Sequence, residues 1–235
     1  TYNAEKVLED RFRVSFHKTY HHIEYIIVDG ASKDGTISII NRYRPHIHTV
    51  VSEPDKGLYD AMNKGIALAS GDYLCFLTRA TVSEDDTLQQ MVHTINGSEL
   101  PDVLYGETAI VRPGQAFPAD AQNCPLPKTL TWKKFQTGYV SLPSGILSPS
   151  YAGRALQLEI SFFLPISTWC IRIMKKARTL HNTHLTIIDY LDEGMTTRNQ
   201  KASLKERFRI MAKHYGLIGT VAHHIWFVIR AVIHR

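Results

Sequence analysis

The amino-acid sequence predicts an α/β fold with a mostly parallel sheet, followed by a helical appendage at the C-terminal end. The first observation is an alternation of short apolar runs and helical periodicity over about residues 24–112. Such alternation is typical of βαβ units and therefore of parallel strands. The second is a run of prolines after Pro113, which breaks the next part into loops and short elements. The third is a basic, increasingly apolar, helix-like tail from about Ser203.

Four short runs predict the strands of the sheet. They are β-branched, aromatic or continuously apolar, and turn residues such as Gly30 bound them. The run Tyr-Leu-Cys-Phe-Leu has the unbroken apolar character of a strand buried on both faces of a parallel sheet. The predicted strands cover 23–28, 47–51, 73–77 and about 102–111.

Three stretches between these strands have the apolar spacing of amphipathic helices. In one of them Asp34 is the predicted cap, and Pro45 closes the helix. Ahead of the last, the run Ser-Glu-Asp-Asp at 83–86 predicts a cap and first-turn acids. The predicted helices run from 36 to about 44, from 58 to 69 and from 88 to 95.

Composition and length limit the class of protein. With 235 residues, 44% hydrophobic and 21% charged, the chain is predicted to form a single globular domain with a small appendage. Cys75, Cys124 and Cys170 are not spaced like metal ligands, so we predict neither a disulfide framework nor a zinc site. The predicted compartment is a reducing cytosol. No secretory signal is predicted. Because the sequence begins at Thr1 without methionine or a preceding strand, it is interpreted as part of a longer chain.

The charge balance favours anionic partners. The net charge is +5 and the isoelectric point is about 9.0. Nucleic acid, phosphorylated substrates and an anionic membrane face all satisfy this balance. No nucleic-acid motif accompanies the charge, so a specific nucleic-acid partner is not predicted. The glycines form neither a dinucleotide fingerprint nor a P-loop, so NAD and ATP are not predicted either.

Three spaced blocks of sequence carry a family resemblance. Residues 1–3 read Thr-Tyr-Asn, residues 23–36 contain Val-Asp-Gly-Ala-Ser-Lys-Asp-Gly-Thr, and residues 52–72 begin Ser-Glu-Pro-Asp-Lys-Gly-Leu-Tyr-Asp-Ala-Met-Asn-Lys-Gly. Together these blocks closely resemble the family 2 glycosyltransferases, in the branch that builds bacterial capsules, exopolysaccharides and lipopolysaccharide. The resemblance is strong over the first 110 residues and loose over the remainder.

The resemblance implies a GT-A fold, which is a three-layer fold of the nucleotide-diphospho-sugar transferase type, and a UDP- or GDP-sugar donor transferred with inversion. By position, Tyr2 and Asn3 would flank the nucleoside, and Asp29 would hold the base or the ribose. Asp55 and its neighbour Gly57 would lie near the donor. The implied acceptor is a saccharide or a lipid-linked saccharide in surface polysaccharide synthesis.

Other positions keep two interpretations open. Asp60 and Asn63 either contact the donor or only lock their helix against the loop. In the resulting division, residues 1–112 form the nucleotide-sugar-binding half, residues 113–202 the loop-rich acceptor-side half, and residues 203–235 a basic amphipathic tail.

The chain departs from the family where a divalent metal is held. Relatives carry a carboxylate pair of the DxD type after the strand that ends here at Leu77, and it holds Mg²⁺ or Mn²⁺ on the donor diphosphate. This chain has Thr-Arg-Ala-Thr at 78–81, which contains no carboxylate, so no metal-binding residue is predicted. Arg79 would either bind phosphate oxygens directly or be a solvated loop arginine. The acids at 84–86 are interpreted as belonging to the next helix.

The expected catalytic base is missing as well. Relatives carry an aspartate in a stretch that opens a helix leading to an arginine and a Lys-Lys pair. Anchored on Arg172, Lys175 and Lys176, that aspartate falls on Ile166. A His-Gln block of many relatives falls on Leu-Pro-Ser at 142–144. The sequence therefore identifies no catalytic residue, and two hypotheses stand: an active transferase, or an inactive relative that keeps the fold and nucleotide binding.

Two further features concern metals and membranes. The histidine pairs, including His181 with His184, lack carboxylate or cysteine partners at ligand spacing and are interpreted as surface or packed residues. In the tail, apolar residues recur every three or four positions, but histidines and Arg230 interrupt them, so a spanning helix is not predicted. A basic amphipathic helix on the inner face of the cytoplasmic membrane fits the pattern. The alternative is a helix packed on its own domain or on a second subunit.

Overall fold

A computed structural model of the chain describes residues 1–77, 80–82, 84–95, 100–111, 122–124, 130–133, 146–147, 165–191 and 200–233. The strands are β1 (Ile26–Asp29), β2 (Thr49–Ser52), β3 (Ala80–Val82), β4 (Val103–Val111), β5 (Gln122–Cys124), β6 (Ile146–Leu147) and β7 (Leu180–Leu191). The helices are α1 (Glu5–Phe16), α2 (Thr36–Arg42), α3 (Leu58–Leu68), α4 (Thr87–Thr94), α5 (Pro165–Lys176), α6 (Gln200–Tyr215) and α7 (Leu217–Ile233).

The first sheet is the βαβ unit that the sequence predicts. β1 and β2 pair in parallel, with Asp29 opposite Ser52, and α2 lies in the crossover between them. Pro45 follows α2 within a short 3₁₀ turn, as expected of a residue that ends the helix. Helices α1 and α2 close a small core beside these strands, whose buried members are Leu8, Phe12, Ile39, Ile40 and Ile47.

The second sheet is mixed. Its longest pairing joins β4 and β7 in parallel, while β3 lies antiparallel beside β7, and β5 and β6 lie antiparallel beside β4. The register of the parallel pair shifts around Glu107. Just before it, a Cβ atom on Gly106 would lie 2.4 Å from the carbonyl oxygen of Leu185. The close approach of the two strands therefore requires glycine at this position.

The run 73–77, which was predicted as a strand, packs its side chains as a buried strand would. It does not form the continuous hydrogen-bonded pairing of a strand. Within this run Leu74 alone is a bridge residue. Tyr73 and Cys75 pack against one buried cluster, and Phe76 packs against a different one. This alternation of side chains is the geometry that a strand buried on both faces would give. The run therefore separates two cores, as its apolar composition predicts.

Several elements lie where the sequence analysis assigned none, among them α1, β3 and β7. Helix α1 precedes β1, and the four-residue spacing of its buried Leu8 and Phe12 is the signal that could have predicted it. Strand β7 is central in the second sheet, yet it falls within 113–202, which was predicted as loops and short elements. That prediction was wrong for 180–191: the last proline of the region is Pro165, and the β-branched run 186–188 is the local signal of a strand.

The acids before α4 do not cap it as predicted. No acid lies in the first turn, and Asp86 holds the cap position without a side-chain cap hydrogen bond. Instead, the amide of Glu84 donates to Thr87 Oγ1 at 2.9 Å. Asp85 pairs at 3.3 Å with Lys18, whose side chain is only 2% exposed. The prediction of first-turn acids is therefore wrong, and Asp85 neutralises a buried lysine instead; Ser83, the first residue of the predicted capping run, lies outside the described residues.

The predicted helical tail consists of two helices. They meet at Gly216, which has a φ of +83° and donates its amide to the Ala212 carbonyl at 3.1 Å, as a helix-ending glycine does. The ring of Tyr215 stacks on Trp132, and its hydroxyl donates to the Trp132 carbonyl at 2.6 Å. This contact ties α6 to the α/β body. In the part of the chain that the structure describes, no helix is long and apolar enough to cross a membrane.

Candidate functional site

The carboxyl ends of β1 and β2 bring together most of the residues predicted to bind a ligand. The main-chain nitrogen of Thr1 donates to the Val28 carbonyl at 2.5 Å, and the amide of Gly30 donates to the Thr1 carbonyl at 2.9 Å. These two bonds are the pattern of parallel strand pairing. They place Tyr2 and Asn3 at the edge where ligands bind in open α/β sheets.

Two residues with left-handed backbone geometry meet at this edge. Asn3 has a φ of +45° and Ala31 a φ of +59°. The amide of Asn3 donates to Ser32 Oγ at 2.8 Å, and its Oδ1 accepts from the amide of Lys33 at 3.0 Å. Residues other than glycine rarely adopt such angles, and where they do the strain is often found at functional sites. The segment 1–3 and the turn after β1 therefore hold each other in a fixed geometry.

Asp29 ends β1 and is fully buried. Its Oδ2 accepts hydrogen bonds from the Ser32 amide at 2.9 Å and from Ser52 Oγ at 2.8 Å, and its Oδ1 accepts one from Ser32 Oγ at 2.5 Å. Burial alone would raise the pKa of this carboxyl, but the bonds from Ser32 and Ser52 outweigh it and hold the pKa below its ordinary value. Because Asp29 is fully buried, a direct contact with a base or ribose, which the resemblance implies, requires the turn that covers it to move.

Tyr2, Gly30 and Asp55 lie against each other at the accessible side of this edge. A Cβ atom on Gly30 would lie 2.5 Å from Asp55 Oδ2 and 3.3 Å from Tyr2 Cδ2. The missing side chain therefore lets a carboxylate and an aromatic ring approach the same stretch of backbone. Tyr2 is 63% exposed, and Asp55 is half-buried. An exposed ring can stack on a planar base, and a carboxylate accepts hydrogen bonds from N–H or O–H groups.

The loop that carries Asp55 is held in place by Lys64. The Nζ of Lys64 lies 2.8 Å from Glu53 Oε1 and donates to the Pro54 carbonyl at 3.0 Å. The hydrogen bond to Glu53 raises the pKa of Lys64. The loop therefore has an electrostatic anchor on α3, which the sequence analysis did not predict.

The start of α3 shapes the other side of this loop. Gly57 has a φ of +108°, which favours glycine, and its amide donates to Asp55 Oδ1 at 2.8 Å. The Oδ2 of Asp60 accepts from the amide of Lys56 at 3.0 Å, which supports the interpretation that Asp60 locks the helix against the loop. Asn63 is half-buried on the same helix, and its predicted role stays open.

Several predicted positions do not enter this cluster. Thr78, Arg79 and the block 142–144 lie outside the described residues, so what the sequence predicts for them stays a prediction. Ile166 follows the proline that opens α5, so the helix implied by the resemblance is present. Ser32 and Ser52 were missed by the sequence analysis, although both follow or end a strand, which is where site residues collect.

The residues at the expected metal position do not fit a divalent cation. Threonine and arginine follow Leu77, and β3 begins at Ala80 without a carboxylate, whereas Mg²⁺ and Mn²⁺ prefer carboxylate oxygens. Among the described residues no cluster of three or more His, Cys, Asp or Glu could hold a metal ion. No chemical step is therefore assigned to a metal.

Sequence comparison relates the chain to one family. Residues 1–151 match the profile described as Glycosyl transferase family 2. A "PGL/p-HBAD biosynthesis glycosyltransferase" of Mycobacterium tuberculosis is 34% identical over 128 residues, which cover 51% of this chain and 50% of the relative. The "Putative teichuronic acid biosynthesis glycosyltransferase TuaG" of Bacillus subtilis is 24% identical over 214 residues, which cover 88% of this chain and 83% of TuaG. The chain thus spans about half the length of the mycobacterial relative.

Solved structures share the fold at low sequence identity. S. aureus TarS 1-349 in complex with UDP-GlcNAc superposes with a TM-score of 0.70 and 16% identity, covering 90% of this chain and 62% of that one. The mannosyltransferase PcManGT from Pyrobaculum calidifontis, in complex with GDP-Man and Mn²⁺, gives a TM-score of 0.61 and 15% identity, covering 95% and 71%. At these identities the comparison concerns the fold alone.

Proposed function

Because the chain belongs to glycosyl transferase family 2 and has the predicted GT-A fold, we propose that it binds a nucleotide sugar at the carboxyl ends of β1 and β2. The donor is a UDP- or GDP-sugar. The sugar is transferred with inversion to a saccharide or lipid-linked acceptor in surface polysaccharide synthesis. The names of TuaG and of the mycobacterial relative, which refer to biosynthesis of teichuronic acid and of PGL/p-HBAD, support this class of product.

The contact of Tyr2, Gly30 and Asp55 is the observation that carries the proposal. An exposed ring, a bare backbone and a carboxylate lie together there, which supports a ligand site at this edge. In the proposed complex Tyr2 stacks on the base, and Asp55 accepts hydrogen bonds from the nucleoside. Asn3 lies beside the nucleoside, and the N-terminus of α3 at Gly57 faces the donor, where helix geometry favours negative charge.

The remaining parts of the predicted site belong to the same proposal. Asp29 would hold the base or the ribose, and its hydrogen bonds with Ser32 orient the turn beside it. Arg79 would bind the diphosphate directly in place of a metal. Residues 1–112 would bind the donor, and residues 113–202 would supply the acceptor side. The protein would act from the cytoplasm, on the inner face of the membrane.

Calorimetric titration with UDP and GDP, each with Mn²⁺ or with EDTA, tests the donor site. We expect binding of one nucleotide with nearly the same affinity in Mn²⁺ and in EDTA, since positions 78–81 offer no carboxylate. Asp55→Ala should weaken that binding by about tenfold or more, the cost of a lost charged hydrogen bond. The matched control is Asp10→Asn, which changes an exposed carboxylate on α1. A hundredfold gain in affinity with Mn²⁺ would contradict the metal interpretation.

An inactive relative that retains nucleotide binding is the second candidate. The specific observation in its favour is the coincidence of Ile166 at the expected base position with the missing carboxylates at 78–81. Transfer with inversion needs a base for the acceptor hydroxyl and a counter-charge for the leaving diphosphate. Tight nucleotide binding without hydrolysis or transfer of the sugar would support this second candidate. Donor turnover would support the enzyme.

A further inference from the structure

Helix α7 leaves a continuous apolar stripe exposed to solvent. Ile218, Val221, Ile225 and Ile229 recur at three- and four-residue spacing and are 88%, 40%, 56% and 44% exposed. Trp226, which is 59% exposed, lies beside them. At 100° per residue these positions fall on one side of the helix. We call them the α7 stripe.

The opposite side of α7 packs against α6. Thr220 is fully buried there, and the ring of His224 lies 5.1 Å from that of Phe208, measured between centroids. Helix α6 is in turn attached to the α/β body through Tyr215 and through Lys175, which donates to the His214 carbonyl at 3.4 Å. The hairpin of α6 and α7 is therefore docked on one side, and the α7 stripe is the side turned away from α6.

An exposed apolar stripe could contact either a second copy of the chain or a membrane surface, and the charge of the hairpin distinguishes between these two. From Gln200 to Arg235 the sequence contains seven lysines and arginines and one acid, Glu206. Lys205, Arg209 and Lys213 are exposed at four-residue intervals on α6. A second copy packed on the stripe would bring two such basic hairpins together, and the like charges would repel. An anionic surface is attracted by the same residues.

We propose that the α7 stripe inserts into an anionic membrane surface, with the basic residues of α6 supplying the electrostatic attraction. Tryptophan beside aliphatic residues is typical of helices that lie in the membrane interface. The inference deepens the proposed function, because it names the surface at which a lipid-linked acceptor would be met. Its test involves neither donor nor transfer, so the two proposals can fail separately.

Vesicle sedimentation with the full chain tests this docking. The vesicles are an equimolar mixture of phosphatidylglycerol and phosphatidylcholine, or phosphatidylcholine alone. We expect binding to the anionic vesicles that decreases with added salt, and at least tenfold weaker binding to the neutral ones. Ile225→Asp and, independently, Ile218→Asp should each weaken binding to anionic vesicles by about tenfold or more. The matched control is Val7→Asp on α1, since Val7 is 55% exposed and Ile225 is 56% exposed.

Three results would overturn the docking. The first is equal binding to neutral and anionic vesicles, and the second is unchanged binding of both aspartate variants. The third is a lipid-free dimer in sedimentation velocity that Ile225→Asp converts to a monomer, because the stripe would then be a contact between two copies. Circular dichroism of the variants verifies that each remains folded, which is expected because both isoleucines are largely exposed.

Discussion

At the scale of single residues, the edge of the first sheet depends on one buried charge and one missing side chain. Asp29 gathers the turn after β1 and the end of β2 through Ser32 and Ser52. Gly30 leaves the room that Asp55 occupies. The first residue acts on stability and the second on the shape of the ligand site, so their substitution should have different effects.

Asp29→Asn is expected to destabilise the protein by about 1.5–3 kcal/mol at pH 7, because an amide nitrogen would face the Ser32 and Ser52 donors. The folded-state pKa of Asp29 lies below its ordinary value. Its stabilisation is therefore complete above about pH 4 and is lost as the pH falls through the lower, folded-state pKa. Urea unfolding at several pH values measures the difference from wild type. If Asp29→Asn lost as much free energy of unfolding at the lowest pH as at pH 7, the role assigned to the Asp29 carboxylate would be contradicted. The control is Asp10→Asn.

Gly30→Ala is expected to weaken nucleotide binding by about tenfold or more while leaving the protein folded. The new methyl group would stand 2.5 Å from Asp55 Oδ2, so the carboxylate must turn away from the site. Gly71→Ala is the matched control, because its Cβ would lie 3.8 Å from the nearest atom, the Tyr73 carbonyl oxygen. Calorimetry measures the affinities. Wild-type affinity in Gly30→Ala would show that Asp55 does not contact the nucleotide.

At the scale of elements, the pairing of β4 and β7 joins parts of the chain that no local sequence pattern relates. These strands join parts of the chain about eighty residues apart, and the core on one side of them includes Leu104, Ile187 and Ile188. Their close approach at Gly106 leaves no space for a side chain, whereas Gly65 in α3 has space beside Val28. Position 106 therefore requires glycine, whereas position 65 has room for a side chain, and the sequence alone does not distinguish the two.

Gly106→Ala and Gly65→Ala form a matched pair, for which we expect opposite changes in the free energy of unfolding. In Gly106→Ala the strands must separate, since the Cβ would lie 2.4 Å from a backbone oxygen, and we expect a loss of about 1–3 kcal/mol. In Gly65→Ala the Cβ meets only Val28 Cγ2 at 3.9 Å, and alanine favours the helix, so we expect a gain of up to about 1 kcal/mol. Chemical unfolding measures both values. A neutral Gly106→Ala would contradict the strand geometry.

At the scale of the whole molecule, the scaffold of the family is retained, whereas the residues at the positions predicted for catalysis differ from those that the resemblance implies. The fold and helix α5 are present. The position predicted for the base holds Ile166, and positions 78–81 hold no acid. Nucleotide binding and sugar transfer therefore require separate measurements.

We predict that the unmodified chain transfers sugar at a rate near background. A positioned base contributes about a hundred- to ten-thousand-fold to rate, and charge stabilisation of the leaving group adds more. Recovery should require Ile166→Asp together with acids introduced at positions 78–81, since either change alone leaves one requirement unmet. Transfer assays with labelled UDP- and GDP-sugars measure the outcome. Robust turnover by the unmodified chain would refute the prediction and direct attention to Arg79.

The sequence by itself determined the family, the βαβ unit of β1 and β2, and helix α3, because each of these depends on short blocks and local periodicity. It also placed Tyr2 and Asp55 in candidate positions without showing that they meet at Gly30. Only the tertiary structure decided that Asp29 is buried behind Ser32, that Lys64 anchors the loop, and that β7 is a central strand. These facts rest on contacts between residues distant in the chain, and local patterns carry no information about which distant group will fill a given space.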